Sequence, residues 1–289
     1  MKFNIKQYEK ELTFDKPIEY IPIKYKDKLK QILDKLKNVK DKSQAKMLIN
    51  QMDEILNIKI LIYPVKMINY FNFYDNIKCL LIDKNKISDK KIISMSYLDF
   101  LITLMKDPSE GQIYRNMLYS LFSLCFHIEQ KDLGYKEYKL DHHYFYINNI
   151  EFTKKDFDIL KKIICYQNMP SYDDRYISPD VQEQIDAMHE LKGKDINASL
   201  ERQIVSLMAS THYTLDEIEN MTIRKFILTL EKVDKKLHYQ IYTLASFIPF
   251  VKFKEKIPHW IYGENEDKFK NILLDAKGFE SKIGSALKG

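Results

Sequence analysis

The spacing of apolar side chains predicts helices over most of the chain. Residues 26–56 carry apolar side chains at helical spacing, with Lys and Asp between them. A polar stretch at Asn38–Ser43 divides this region into a helical hairpin. A second pair of helices is predicted from a cap at Ser96, a stop after Asp107 and a new cap at Ser109.

Two regions of the first half read as strands. Residues 58–65 are rich in β-branched and aromatic side chains, and Pro64 limits them to an edge strand or a strand end. Tyr144–Ile147 and Ile150–Phe152 flank two turn-prone Asn residues, a pattern typical of a β-hairpin. Thr153, with an Asp three residues later, then caps a helix.

The second half reads as helical after a break in periodicity. Two Pro and repeated Asp and Ser mark residues 166–180 as a loop. Thr214 and Glu217 form a capping-box pattern, and Thr222 caps a long helix that continues toward Pro249. A short strand is expected at 251–253.

The predicted fold class is mainly α, within α+β. We expect a helical N-terminal domain with a few short strands and a β-hairpin, followed by a C-terminal helical bundle. The predicted divisions are a mixed domain at 1–165, a linker at 166–180, a helical domain at 181–262 and a surface tail at 263–289.

Charge and composition narrow the function classes. The net charge of +5 is the small remainder of 46 basic and 41 acidic residues, whereas nucleic-acid proteins usually carry a strongly basic stripe. Four of the basic residues are Arg, the residue best suited to bidentate phosphate contacts. The 13% of aromatic residues suits either protein interfaces or an AT-rich genome. This balance disfavours a nucleic-acid partner.

The cysteines and the apolar runs indicate an intracellular protein without a membrane span. Cys79, Cys125 and Cys165 are far apart, and each lies in an apolar run, so we expect three buried free thiols in a reducing cytoplasm. The N-terminus lacks the apolar stretch of a signal peptide, and no apolar run reaches the length of a bilayer span.

No catalytic, cofactor or metal site is recognisable in the sequence. Glycine is too sparse for a phosphate-binding loop, and neither a nucleophile elbow nor a zinc-binding His pair is present. His142 and His143 are adjacent and would point to opposite faces of a strand. We therefore predict no enzyme activity, no cofactor and no metal.

Five aromatic residues are candidate interface positions. Tyr172 and Tyr176 flank an acidic segment of the loop, which is either a recognition loop or a solvated turn. Phe250, Phe253 and Trp260 lie in an aromatic and Lys-rich stretch. Such a stretch can bind single-stranded nucleic acid, or form an edge strand with an exposed Lys face, and the second reading is favoured. For Trp260 itself, the favoured reading is a core anchor that seals the end of a domain, rather than a ligand platform.

Three segments carry a resemblance to a known class of proteins. They are the helix end Ile163–Asn168, the capped segment Tyr213–Thr222 followed by Arg224-Lys225-Phe226, and the closing Lys256–Ile261. In this order they resemble tail-assembly and baseplate-associated proteins of tailed bacteriophages, over residues 150–262. The likeness lies in the positions at which helices begin and end, and it transfers no catalytic residue.

The resemblance implies a non-enzymatic structural or assembly protein of a phage tail or baseplate. Such a protein acts through protein-protein interfaces in a multi-protein assembly, with other tail or baseplate proteins as partners. It would occupy the host cytoplasm during assembly, or the tail of the virion. The alternative is a Lys-rich nucleic-acid-binding or regulatory protein, suggested by the pI of about 8.7.

Overall fold

The fold is mainly α, as the sequence predicts, and the described residues form two small antiparallel sheets. The structure is a computed structural model that describes residues 16–39, 41–84, 87, 89–139, 142–173, 198–248, 250, 253, 257 and 259–262. The described α-helices are α1 (Ile23–Leu36), α2 (Lys42–Leu56), α3 (Tyr70–Ile77), α4 (Lys90–Ser94), α5 (Tyr97–Met105), α6 (Gly111–Phe126), α7 (Lys154–Asn168), α8 (Leu200–Ser210), α9 (Leu215–Asn220) and α10 (Ile223–Ser246). The described strands are β1 (Ile18–Tyr20), β2 (Ile60–Ile62), β3 (Leu133–Lys139), β4 (His142–Ile147) and β5 (Ile150–Phe152).

The described residues fall into two compact units. The first unit contains residues 16–173 together with 213–228, and the second contains 198–212 together with residues from 229 to 262. The segment 213–228 therefore belongs with the N-terminal residues, although it lies far along the chain. Residues 166–168, assigned to the linker from sequence, form the end of α7. The predicted division into domains stays a prediction.

The predicted helical hairpin is present as α1 and α2, which are separated at the predicted polar break. Asp41 caps α2 by accepting a hydrogen bond from the Ser43 N–H at 3.0 Å. Ile32 of α1 and Ile55 of α2 are the buried residues of the two helices. Both helices are consequently surface elements with one narrow apolar edge.

The two-stranded sheet pairs β1 with β2, with Ile18 opposite Ile62. The strand predicted at 58–65 is confirmed only at Ile60–Ile62, because the backbone leaves the sheet before Pro64. Strand β1 was not predicted. Its three residues carry no periodic signal of their own and become a strand through a partner about forty positions away.

The predicted hairpin is confirmed as β4 and β5, joined at Asn148 and Asn149. Both Asn residues have positive φ, 48° and 62°, which is the backbone of a tight hairpin turn. The sequence missed β3, which pairs antiparallel with β4 and makes the sheet three-stranded. Its sequence alternates small, charged and aromatic residues, so its pairing is decided by the neighbouring strand.

Phenylalanine side chains form the centre of the first unit. Phe122 of α6, Phe145 of β4 and Phe157 of α7 are fully buried, and their ring centroids lie 5.1–5.8 Å apart. Edge-to-face and offset contacts at such distances are favourable between aromatic rings. The core thus joins the helices of the unit to its three-stranded sheet.

One predicted helix cap is wrong. Helix α6 begins after Glu110, and no side chain caps it, so Ser109 is not its N-cap. Asp107 instead accepts hydrogen bonds from the Ser109 N–H at 2.8 Å and the Glu110 N–H at 3.2 Å. The Ser109 hydroxyl itself donates a hydrogen bond to Asp107 Oδ1 at 2.5 Å, and these three bonds to Asp107 form the turn between α5 and α6.

The other predicted caps are confirmed. Ser96 accepts a hydrogen bond from the Asp99 N–H at the start of α5, and full capping boxes begin α7 at Thr153 and α9 at Thr214. Thr222 accepts a hydrogen bond from the Lys225 N–H at 3.2 Å at the start of α10. Residues 181–193 and the tail at 263–289, for which helix and surface structure were predicted, lie outside the described residues, as do residues 251 and 252 of the predicted strand.

The segment 213–228 is fastened to the first unit by backbone hydrogen bonds. The Met67 N–H donates to the Met221 carbonyl at 2.9 Å, and the Ile223 N–H donates to the Val65 carbonyl at 2.8 Å. Arg224 Nη1 donates to the carbonyl of Tyr166 at 2.6 Å. Two of the three segments that carry the phage resemblance therefore touch each other. Across the described residues, no helix combines the length and apolarity needed to cross a bilayer.

Candidate protein-interaction surface

Helix α10 carries an exposed apolar stripe in the second unit. Leu237, Ile241, Leu244 and Ile248 follow one another at spacings of four, three and four residues, so they share one face of a helical segment. Their side chains are 48%, 59%, 68% and 51% exposed. We call these four residues the α10 stripe. Helix α10 ends at Ser246, so Ile248 extends the stripe just beyond it.

The periodicity of the stripe begins earlier in the same helix. Ile223 and Phe226 occupy the same face by spacing, and both are fully buried in the first unit. The apolar pattern is therefore the one expected of a helix that buries this face along its whole length. Because burial of apolar surface is worth about 25 cal/mol per Å², the exposed part favours association with a further surface.

The opposite face of α10 is occupied within the second unit. Tyr239 lies 4.9 Å from the ring of His259, and Tyr242 lies 5.8 Å from the ring of Phe253. Lys236 Nζ lies 6.0 Å from the ring centroid of Trp260. These contacts leave the stripe outside this packed side of the helix.

The structure distributes the five predicted interface residues unevenly. Phe250 is 95% exposed and Phe253 is 39% exposed, while Trp260 is half-buried. Tyr172 lies in the first unit, where its ring packs edge-to-face on Tyr166 at 4.9 Å. Tyr176 lies outside the described residues. An interface role for these five residues stays a prediction.

The sequence predicts a helix over the stripe, but the stripe is not among the predicted interface residues. The distribution of charged residues along the chain could have identified it. Residues 237–251 contain no Asp, Glu, Lys or Arg, in a chain in which 30% of residues are charged. A solvated helix face usually carries such residues, so this gap marks a surface that avoids charge.

A second polar feature lies within the first unit, around a buried carboxylate. Asp99 Oδ1 lies 2.7 Å from His143 Nδ1, and Asp99 Oδ2 accepts hydrogen bonds from Lys154 Nζ and from Ser96 Oγ, each at 2.6 Å. Burial raises the pKa of Asp99, but the bonds from Lys154, Ser96 and His143 outweigh it, and the pKa lies below its ordinary value. We call this group the Asp99 network.

In a catalytic Asp-His pair, the carboxylate orients the imidazole, and the other imidazole nitrogen acts as the general base. The surroundings of that nitrogen therefore show whether the pair is arranged for catalysis. His143 Nε2 faces Glu137 Oε2 at 3.7 Å. Glu137 is in turn held by Lys106 Nζ at 2.9 Å. A carboxylate therefore occupies the place where a nucleophile or a substrate proton would lie in a catalytic pair. The arrangement ties α5, β3, β4 and α7 together and is explained by that structural role.

Asp156 is a second buried carboxylate, and it closes two helix N-termini at once. Its Oδ1 accepts hydrogen bonds from Tyr20 Oη at 2.6 Å and from the Ile23 N–H at 2.8 Å. Its Oδ2 accepts from the Thr153 N–H at 2.9 Å and from Thr153 Oγ1 at 2.6 Å. The carboxylate thus takes the position that an anion would occupy at the starts of α1 and α7.

A cleft of about 430 Å³ lies beside these helix starts. It is lined by Ile23, Lys24, Asp27, His143, Tyr144, Thr153, Lys154 and Lys155. Lys24 Nζ lies 3.5 Å from Glu151, and Lys154 is engaged by Asp99. Asp156 already accepts hydrogen bonds from the N–H groups at these helix starts. These groups are therefore not available to bind an anion in the cleft.

The three cysteines are buried, as predicted from their apolar surroundings, and none of them forms a disulfide. Burial is the main reason that the pKa of Cys79 is raised to about 12. Burial also raises the pKa of Cys125. Among the described residues, no group of three or more His, Cys, Asp or Glu side chains is arranged to hold a metal ion.

Comparison with known proteins gives one family match. Residues 191–263 match the model of the YomV second domain. This span is 73 of 289 residues, about a quarter of the chain, and it includes α8, α9 and the whole of α10. YomV is a protein of the SPbeta phage region of Bacillus, and the match is compatible with a phage-associated protein.

No curated protein and no solved structure matches the chain significantly. The family match contains two of the three segments on which the phage resemblance was based, Tyr213–Phe226 and Lys256–Ile261. It also contains the α10 stripe. The phage likeness and the exposed apolar surface therefore fall in the same part of the chain.

Proposed function

We propose that this protein is a non-enzymatic component of phage tail or baseplate assembly that acts through protein-protein contacts. The α10 stripe carries the proposal, because four large apolar side chains about half exposed or more form a surface suited to a protein partner. The similarity of residues 191–263 to a domain of a phage-region protein supports the phage part of this proposal.

The remaining features of the described residues are consistent with this role. The most concentrated polar groups, the Asp99 network and Asp156, are used to hold helices and strands together. The first unit then serves as a stable body, and the second unit presents the apolar surface. We place the protein in the host cytoplasm during assembly, with tail or baseplate proteins as its partners.

The proposal is tested by following the protein through particle assembly. Lysates of the producing cells are separated on a density gradient, and the protein is quantified by mass spectrometry in fractions that contain complete particles, free tails and tail intermediates. The proposal expects a fixed ratio of this protein to a tail or baseplate protein in at least one of these fractions. Its absence from all of them would overturn the tail or baseplate role.

A further inference from the structure

The partner of the α10 stripe can be inferred from the charges around it. The charged residues of α10 lie before Leu237, and the helix from Leu237 to its end at Ser246 contains none. A foreign partner is usually selected by complementary charges, and this surface offers no such feature. A surface without charge is, in contrast, compatible with its own copy, because no like charges are brought together.

We propose that the α10 stripe pairs with the α10 stripe of a second copy of this chain, with the two helices antiparallel. The pairing rests on the proposed function: the dimer formed through the stripe is the form of the protein that associates with tail or baseplate proteins. A twofold axis between Ile241 and Leu244 places Ile241 of one copy beside Leu244 of the other, and Leu237 beside Ile248. Each residue of the stripe then meets another apolar residue.

The antiparallel direction follows from the charges at the start of the helix. Glu231, Lys232, Asp234, Lys235 and Lys236 precede the uncharged segment. A parallel pair would set each of these residues beside its own copy, which brings like charges together. An antiparallel pair instead sets them beyond the end of the partner helix, and it also aligns the two helix dipoles favourably.

The available surface is large enough for a stable pair. The stripe is joined by Phe247, 77% exposed, and Phe250, 95% exposed, just beyond the helix. An aromatic side chain alone buries about 150–250 Å². The four aliphatic side chains of the stripe and these two phenylalanines, all about half exposed or more, together supply several hundred Å² per copy, of the order of the roughly 800 Å² per partner in a standard specific interface.

Sedimentation equilibrium of the purified full chain tests the pairing. Leu244→Asp places a carboxylate in the centre of the proposed contact and is expected to weaken dimerisation at least about 100-fold. Ile68→Asp is the matched control, because Ile68 is 68% exposed, as Leu244 is, but lies in the first unit. Circular dichroism and thermal unfolding establish that both variants fold.

The expected result is a dimer for the wild type and for Ile68→Asp, and a monomer for Leu244→Asp. A wild type that stays monomeric at about 100 μM, or a Leu244→Asp variant that still dimerises, would overturn the pairing. Either result leaves the proposed function open, because the gradient experiment tests the association with tails and does not depend on self-pairing.

Cross-linking distinguishes the direction of the helices. The native cysteines are buried, so a single introduced Cys on the stripe is the reactive thiol. In an antiparallel pair, Leu244→Cys lies near the axis and forms an intermolecular disulfide, whereas Leu237→Cys lies too far from its copy. Faster cross-linking of Leu237→Cys than of Leu244→Cys would overturn the antiparallel arrangement.

Discussion

At the scale of single residues, buried carboxylates organise the first unit. Asp156 and Asp99 lie on neighbouring elements, yet they perform different tasks. Asp156 gathers backbone and hydroxyl donors at the starts of α1 and α7. Asp99 is paired with the charged Lys154 and with His143. The first therefore acts as a cap for two helices, and the second as the centre of an ion-pair network.

Asp156→Ala is expected to destabilise the protein by at least about 3 kcal/mol. The substitution leaves Tyr20 Oη and the N–H groups of Ile23 and Thr153 without their acceptor, and each unsatisfied donor costs about 1–3 kcal/mol. Urea unfolding measures the change. Asp41→Ala is the control, because it removes an exposed single-bond cap worth about 1 kcal/mol. Equal losses for the two variants would contradict the double-cap role.

Lys154→Met is expected to remove a pH-dependent part of the stability. The pKa of Asp99 is lower in the folded protein than the ordinary value near 3.9. A depressed carboxyl pKa stabilises the fold above the unfolded pKa, and this contribution is lost as the pH falls through the folded pKa. The difference in unfolding free energy between wild type and variant should be constant from pH 5 to 7 and shrink below about pH 4.

The control for this measurement is Lys37→Met. Lys37 forms an exposed ion pair with Asp34 at 3.0 Å, and such pairs contribute little. Its difference from the wild type should be small at every pH. If Lys154→Met gave the same flat profile, the Asp99 network would not be the source of the acid sensitivity.

At the scale of elements, the turn between α5 and α6 depends on a close backbone approach. A Cβ at Gly111 would lie well inside the contact distance of the Met105 carbonyl oxygen. A backbone carbonyl cannot move aside as the end of a flexible side chain can. The first residue of α6 must therefore be glycine for α6 to begin this close to the end of α5.

Gly111→Ala is accordingly expected to cost about 1–3 kcal/mol, since the added methyl group forces the two helices apart. Thermal unfolding measures the effect. Gly134→Ala is the matched control, because an added Cβ at Gly134 meets no atom within 4 Å. That variant should be neutral or slightly stabilised. A neutral Gly111→Ala would show that the helices can separate without loss.

The elements that sequence reasoning identified are those with local causes. The capping boxes at Thr153 and Thr214 and the hairpin turn at Asn148 and Asn149 are set by side chains within three or four positions. Strand β1 was missed because its partner lies about forty positions away, and β3 was missed because its charged residues give no alternating apolar pattern, although its partner β4 follows it directly. The predicted Ser109 cap was wrong because the Ser109 hydroxyl donates its hydrogen bond to Asp107.

The candidate surface was only partly predictable for a related reason. Periodicity places Ile241 and Leu244 on one face of a helix, but it does not say whether that face is covered. Ile223 and Phe226 share the pattern and are buried, whereas Leu244 is exposed. The predicted residues Phe250 and Phe253 lie close along the chain to the stripe, which the absence of charge would have identified.

At the scale of the whole molecule, stability and recognition are assigned to different compact units. The first unit contains the phenylalanine core, the Asp99 network and the double cap at Asp156. The second unit contains the α10 stripe, in which four apolar side chains are each about half exposed or more. A substitution on the stripe should therefore change binding without unfolding the protein.

The central claim is that the α10 stripe mediates the assembly role, and affinity purification with three baits tests it most directly. Tagged wild type, Leu244→Asp and Ile68→Asp are recovered from producing cells, and the phage tail and baseplate proteins that accompany each bait are quantified by mass spectrometry. The account predicts equal recovery on wild type and Ile68→Asp, and at least about tenfold less on Leu244→Asp. Equal recovery of these proteins on all three baits would contradict it.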